Sequence, residues 1–264
     1  MNNKLIKISI ITTALIAIST NTYAEEELSK RTIKSNYQEV YNTLPSSVQN
    51  LSELFSEGKF YGRIRSNTFY FRWENESTTK KTHLASGIGG SVVYKSATYK
   101  NFDFTAGLYY SKSFFEESND PINAIKPGKD TLSRFHYVNT GDKSMGVLGQ
   151  AYLRYKGITK TEILLGRQMV ETFYTKSNDT KMIPNTFDGL VVGTKALDKT
   201  AIKLAYLYKQ KLRDHTQEHS VLMYGDSNSS SSILPQWSQN DDTAMHKGLT
   251  YTALKMQVNQ QMPL

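Results

Sequence analysis

The sequence predicts an all-β fold, an antiparallel transmembrane β-barrel, and three observations carry that expectation. From Gly58 onward apolar and polar residues alternate with period two, as in strands with one wet and one apolar face. The stretches between these strands are alternately short and long, as barrel turns and loops are. The chain is polar on average, with a mean hydropathy of −0.50, yet it holds 17 Tyr and 11 Phe in 264 residues. A barrel wall needs only every second residue to be apolar, with aromatic girdles at its two rims.

The amino terminus reads as an export leader. Lys4 and Lys7 flank the start of an apolar run, Ile8 to Ile18, and Thr22-Tyr23-Ala24 supplies small residues where a signal peptidase cuts. Residues 1–24 are therefore expected to be a cleaved signal peptide, since the run is too short to span a bilayer. No later stretch is long and apolar enough for a transmembrane helix. Residues 25–57 are expected to be a periplasmic segment. Val48, Leu51, Leu54 and Phe55 recur there at helical spacing behind Pro45-Ser46-Ser47, which suits either a short amphipathic helix or a mobile stretch. Residues 58–264 are expected to form part of a barrel.

Charge and cysteine content narrow the function. With no cysteine, disulfides, thiolate metal sites and cysteine nucleophiles are excluded. The net charge is +8, and two of the lysines lie in the leader. The remaining basic residues are scattered and the chain is exported, so no nucleic-acid partner is expected. The charge suits a solute path or a membrane surface.

Eight strands are expected, at 60–73, 83–95, 102–112, 146–156, 161–168, 187–194, 201–211 and 248–258. Phe102, Phe104, Ala106, Leu108 and Tyr110 alternate with Asp103, Thr105, Gly107, Tyr109 and Ser111. Val147 to Tyr155 at odd positions alternate with Leu148 to Lys156 at even ones, and Ile202 to Tyr208 alternate with Ala201 to Lys209. In the first strand Arg63 and Arg65 lie opposite Arg72, which requires a bulge or a strand end outside the bilayer. The chain stops at Gln260-Gln261-Met262-Pro263-Leu264 without a terminal aromatic. Either this is a small eight-stranded barrel with an unusual end, or it is the front of a larger one.

Gly166-Arg167-Gln168, followed by Asn178-Asp179-Thr-Lys-Met182-Ile-Pro184-Asn-Thr-Phe187-Asp-Gly189, resembles the OprD family of outer-membrane porins. Gly58-Lys-x-x-Gly62-x-Ile64-Arg65 resembles that family's opening strand. The resemblance covers most of 53–211. It implies a barrel of about 18 strands in a longer chain, and so favours the second reading of the end. It also implies passage of small solutes, often carboxylates, along basic side chains. This chain departs from the family in length, lacking the second half and the closing strand. By loop count 169–186 is the third outward loop, which commonly folds into a porin lumen, and rings of charge at such a constriction set preference.

Candidate pore residues follow. Arg154, Lys156, Lys203 and Lys209 lie opposite the apolar faces, and a charge facing mid-bilayer lipid costs roughly 2–4 kcal/mol, so they are expected to face the lumen. The motif adds Arg167, Asn178, Asp179 and Lys181 at the constriction, although strict alternation with Ile163 and Leu165 turns Arg167 outward. The expected function is selective diffusion of small anionic or zwitterionic solutes, with the lipid bilayer and lipopolysaccharide as surroundings and a homotrimer as the candidate assembly. No cofactor is expected. His215 and His219 are not in His-Glu-x-x-His order, Gly87-x-Gly89-Gly90 precedes no helix, and no nucleophile elbow is present. Two alternatives remain: a structural or adhesive barrel with a blocked lumen, and a barrel esterase with its catalytic group at the rim.

Overall fold

The computed structural model describes residues 31–72, 82–116, 136, 140–172, 175–180, 182–213, 215–221 and 249–256. The leader expected at 1–24 and Lys181 lie outside them. The chain divides into two units, 1–44 and 45–264. In the first, β1 (Arg31–Ile33) and β2 (Glu39–Tyr41) form an antiparallel hairpin, with Tyr37 at φ 64° in its turn and an Arg31–Glu39 ion pair across it.

The second unit begins before 58. β3 (Ser47–Val48) leads into helix α1 (Leu51–Ser56), followed by the long strands β4 (Lys59–Arg72) and β5 (Thr82–Lys95). Then come β6 (Thr98–Tyr99), β7 (Phe102–Glu116), β8 (Ser144–Tyr155), β9 (Thr161–Gln168), β10 (Thr186–Thr194) and β11 (Thr200–Lys211). β12 (His219–Ser220) and β13 (Leu249–Met256) complete the described elements. The long strands pair antiparallel in sequence order, β4-β5-β7-β8-β9-β10-β11-β13, and the sheet they form is not closed. Every adjacent long pair is a hairpin, so connections sort to two ends. The β4–β5, β7–β8, β9–β10 and β11–β13 connections leave the strands at one end, the loop end, while 96–101, 156–160 and 195–199 lie at the other, the turn end.

Alternation gives the sheet two unlike faces. Ile64, Ile88, Val92, Leu108, Leu148, Leu153, Leu165 and Leu204 are exposed and share one face, the outward one. Large apolar side chains exposed on one face over six strands are the lipid band of a barrel wall. The opposite, inward face carries Arg65, Lys95, Asp103, Thr105, Ser111 and Gln150, all buried.

Three irregularities break strict alternation. The β7–β8 ladder shifts register at Gly107/Leu108, so Gly149 is an extra residue. Val147 consequently turns inward, 7% exposed, while Leu148 turns outward, the reverse of the expected assignment. The β10–β11 ladder shifts at Asp188/Gly189, leaving Tyr208 as the extra residue. A third shift lies between β5 and β7. The β4–β5 ladder, by contrast, runs without a shift, so no bulge separates Arg63 and Arg65 from Arg72.

Helix α1 starts six residues after Pro45, because Asn50 is the residue that caps it: its Oδ1 accepts from the Glu53 N–H at 3.0 Å. An Asn cap satisfies a helix donor that would otherwise be unpaired.

Candidate functional site

The connection from β9 to β10, residues 169–185, does not stand off the loop end. It folds back across the inward face as far as β4. Its root is built by short polar side chains. Ser177 Oγ accepts from the Val170 N–H at 3.0 Å, and Thr175 Oγ1 donates to the Val170 carbonyl at 2.9 Å. Below that root Val170 packs with Phe187, Val191, Ala205 and Leu207, so apolar burial fixes where the loop leaves the wall.

The far end of the loop is latched by charge. Asp179 accepts from Arg65 at 2.9 Å and pairs with Arg63 at 3.2 Å, and Arg65 also donates to the Asp179 carbonyl at 2.7 Å. Asn67 Nδ2 donates to the Thr180 carbonyl at 3.1 Å. Asn178 Oδ1 accepts from the Thr180 N–H at 2.9 Å, forming the local turn that presents Asp179. Met182, at φ 71° and 1% exposed, lies over Gly89, where an added Cβ would come within 3.0 Å of its sulfur. The bare backbone at Gly89 is what lets the loop sit so close.

Across the inward face, charges are mostly committed. Arg154 makes a two-pronged pair with Asp103, Nε to Oδ1 and Nη2 to Oδ2 both at 2.9 Å. Such forked pairs fix the guanidinium plane. Lys95 Nζ donates to Thr105 Oγ1 at 3.3 Å and Tyr152 OH at 3.4 Å. Lys203 Nζ donates to the Glu171 carbonyl at 3.0 Å, holding the first turn of the loop. Under that turn, towards the turn end, lies a cavity of about 880 Å³ with Leu164, Val170 and Val191 as apolar wall and Lys156, Lys160 and Lys203 among its cations.

Two expected positions are corrected. Lys209 does not share a face with Lys203. The extra residue Tyr208 sets Lys209 opposite Asp188, itself opposite Arg167, on the face of Leu165 and Leu190. Arg167 follows strict alternation rather than the motif. It holds Asp188 through Nε at 2.7 Å and Nη2 at 2.8 Å and reaches Glu218 at 3.2 Å, which Lys209 meets at 3.6 Å. Burial pushes the Glu218 carboxyl up, but a main-chain hydrogen bond and then the Arg167 and Lys209 charges hold it below its ordinary value. This four-member network lies at the loop end of the outward face. Lys156 falls just past β8, exposed in the turn.

Of the residues singled out from sequence, the structure brings Asn178 and Asp179 to the loop crossing and Arg154 and Lys203 to the inward face. The ones missed are Arg63, Arg65 and Asn67, the receivers of the latch. Their signal was the alternation within 59–72, which sets all three on one face.

No family model and no curated protein matches the chain. Among solved structures it is similar to Pseudomonas aeruginosa OccK9 (OpdG), at 16% identity and TM-score 0.54, over 79% of this chain and 48% of that one. Pseudomonas aeruginosa OccK8 (OprE) aligns at 18% identity and TM-score 0.49 over 78% and 44%. A BenF-like porin from Pseudomonas fluorescens Pf-5 aligns at 15% and 0.49 over 62% and 40%. The OccK9 likeness shows the fold: this sheet is folded like part of an OprD-type porin barrel wall, and the chain spans about half the length of that protein.

Proposed function

We propose that the chain builds the front half of an outer-membrane diffusion channel for small hydrophilic anions, with residues 169–185 as its constriction. The observation that carries this reading is the latch from Asp179 to Arg63 and Arg65. A loop of ordinary exposed character has no need of a buried ion pair on the far side of the sheet. Anion preference is supported by the cations that the inward face gathers around the loop, Arg63 and Arg65 at its far end and Lys203 at its first turn. Two charges at about 4 Å interact by roughly 4 kcal/mol at an effective dielectric near 20, whereas an open, wet pore screens them within about 8–10 Å. The preference therefore depends on the loop keeping the passage narrow. On the same reading the loop end faces the cell exterior and the turn end the periplasm.

Planar-bilayer recording of the full-length gene product tests it. Asp179→Asn takes the shared anion from the buried Arg65 and the half-buried Arg63, and breaking a buried pair costs about 3–5 kcal/mol. The expected result is a higher single-channel conductance together with a weaker anion preference. A full-length protein that never conducts would reject the channel in favour of a structural barrel. Unchanged conductance in a conducting channel would reject the loop as its constriction.

A further inference from the structure

Helix α1 lies on the lipid side of the wall. Phe55 packs against Phe104, ring centroids 5.7 Å apart, and Phe104 packs against Tyr94 at 5.6 Å. Both partners belong to the outward face, since their neighbours Val93, Lys95, Asp103 and Thr105 are the buried, inward ones. The Tyr94 hydroxyl donates to the Phe55 carbonyl at 2.7 Å, and Phe60 packs on Tyr94 at 4.8 Å. Main-chain bonds fix the segment on both sides: the Ala97 N–H donates to the Leu54 carbonyl and the Thr98 N–H to the Ser46 carbonyl, both at 3.0 Å. A six-residue helix has no stability of its own, so these ties hold it at the turn-end rim.

So held, it buries none of its residues. Leu51 is 59% exposed and Phe55 56%, one turn apart and hence on one stripe. They continue the exposed outward face of Phe60 and Phe102. We infer that α1 is an interfacial membrane anchor, its Leu51–Phe55 stripe immersed at the headgroup–acyl boundary of the phospholipid leaflet on the turn side. Aromatic side chains concentrate at that boundary, and short amphipathic helices lie in it with the apolar stripe down. Continuity with the lipid band favours lipid over a soluble partner. The inference rests on the barrel reading, and it gives residues 45–57 a membrane role that their polar composition conceals.

Depth-resolved quenching decides it. In the full-length protein, with every native tryptophan, Trp73 and Trp237 among them, replaced by Phe, a single reporter is introduced as Leu51→Trp, Phe55→Trp, Ser52→Trp or Ile64→Trp. Each variant is refolded into phosphatidylethanolamine–phosphatidylglycerol vesicles doped with brominated phosphatidylcholine. Bromines high on the acyl chains should lower the emission of Leu51→Trp and Phe55→Trp at least twofold, while Ser52→Trp is quenched by aqueous acrylamide. Ile64→Trp should be quenched by bromines at mid-chain. If Leu51→Trp and Phe55→Trp respond only to acrylamide while Ile64→Trp responds to lipid, the barrel stands and the anchor fails. Protection from both quenchers would reject lipid in favour of a contact between copies. An Ile64→Trp signal blind to lipid would overturn the barrel reading and the anchor with it.

Discussion

Asp179 and Arg167 carry opposite charges and show opposite ways in which a charge is read from sequence. Asp179 sits in a loop motif and is held under two arginines on the inward face, whereas Arg167 sits in a strand and turns outward to Asp188. Alternation alone placed Arg167 correctly, and the motif did not. Arg167→Gln is therefore expected to leave the reversal potential of the full-length channel unchanged while lowering stability by about 3 kcal/mol, since Asp188 loses its forked partner. Thermal unfolding in detergent reads the second effect and bilayer recording the first. Gly166 gives a sharper case. Its φ of 121° is one that side chains rarely adopt, and an added Cβ would lie 2.4 Å from the Ala151 carbonyl oxygen. Gly166→Ala should separate β8 from β9 locally, with a loss of about 1–3 kcal/mol. An unshifted melting temperature would show that the strand can relax there.

At the level of elements, the strands were legible because the period of two is imposed by the wall itself, lipid on one side and water on the other. All eight long strands fall within a few residues of the spans read from the pattern. What the pattern could not reveal is a bulge. Gly149 and Tyr208 each add one residue without altering local composition, and only the cross-strand register exposes them. Lys203 and Lys209 look alike in sequence for that reason, yet they lie on different faces. The latch was equally hidden, because nothing local to 59–72 names a partner in another hairpin. Connection length remains the strongest sorting rule, since irregular backbone is not tolerated against hydrocarbon. Protease added to intact cells is expected to cut within 117–143 or 212–248 and to spare 96–101, 156–160 and 195–199. Cuts confined to the short turns would invert the orientation.

For the molecule as a whole, the ladders and the latch differ in how far along the chain they reach. Each long strand pairs with the next one in sequence, but the Asp179–Arg65 contact joins residues 114 positions apart. Closing a flexible loop of that length directly costs about 4 kcal/mol in chain entropy. Once the intervening hairpins stand, most of that search has already been done, because β4 and β9 are held in one sheet. The latch then belongs to the late side of the folding barrier. Asp179→Asn should leave the refolding rate in micelles nearly unchanged and speed unfolding instead; a slower refolding rate would place the latch in the nucleus. The order has a bearing on life in the membrane. On the proposed reading as a channel, a wall that forms before its inner loop docks is, for that interval, a wider and less discriminating opening, so the time between the two events sets how long it leaks.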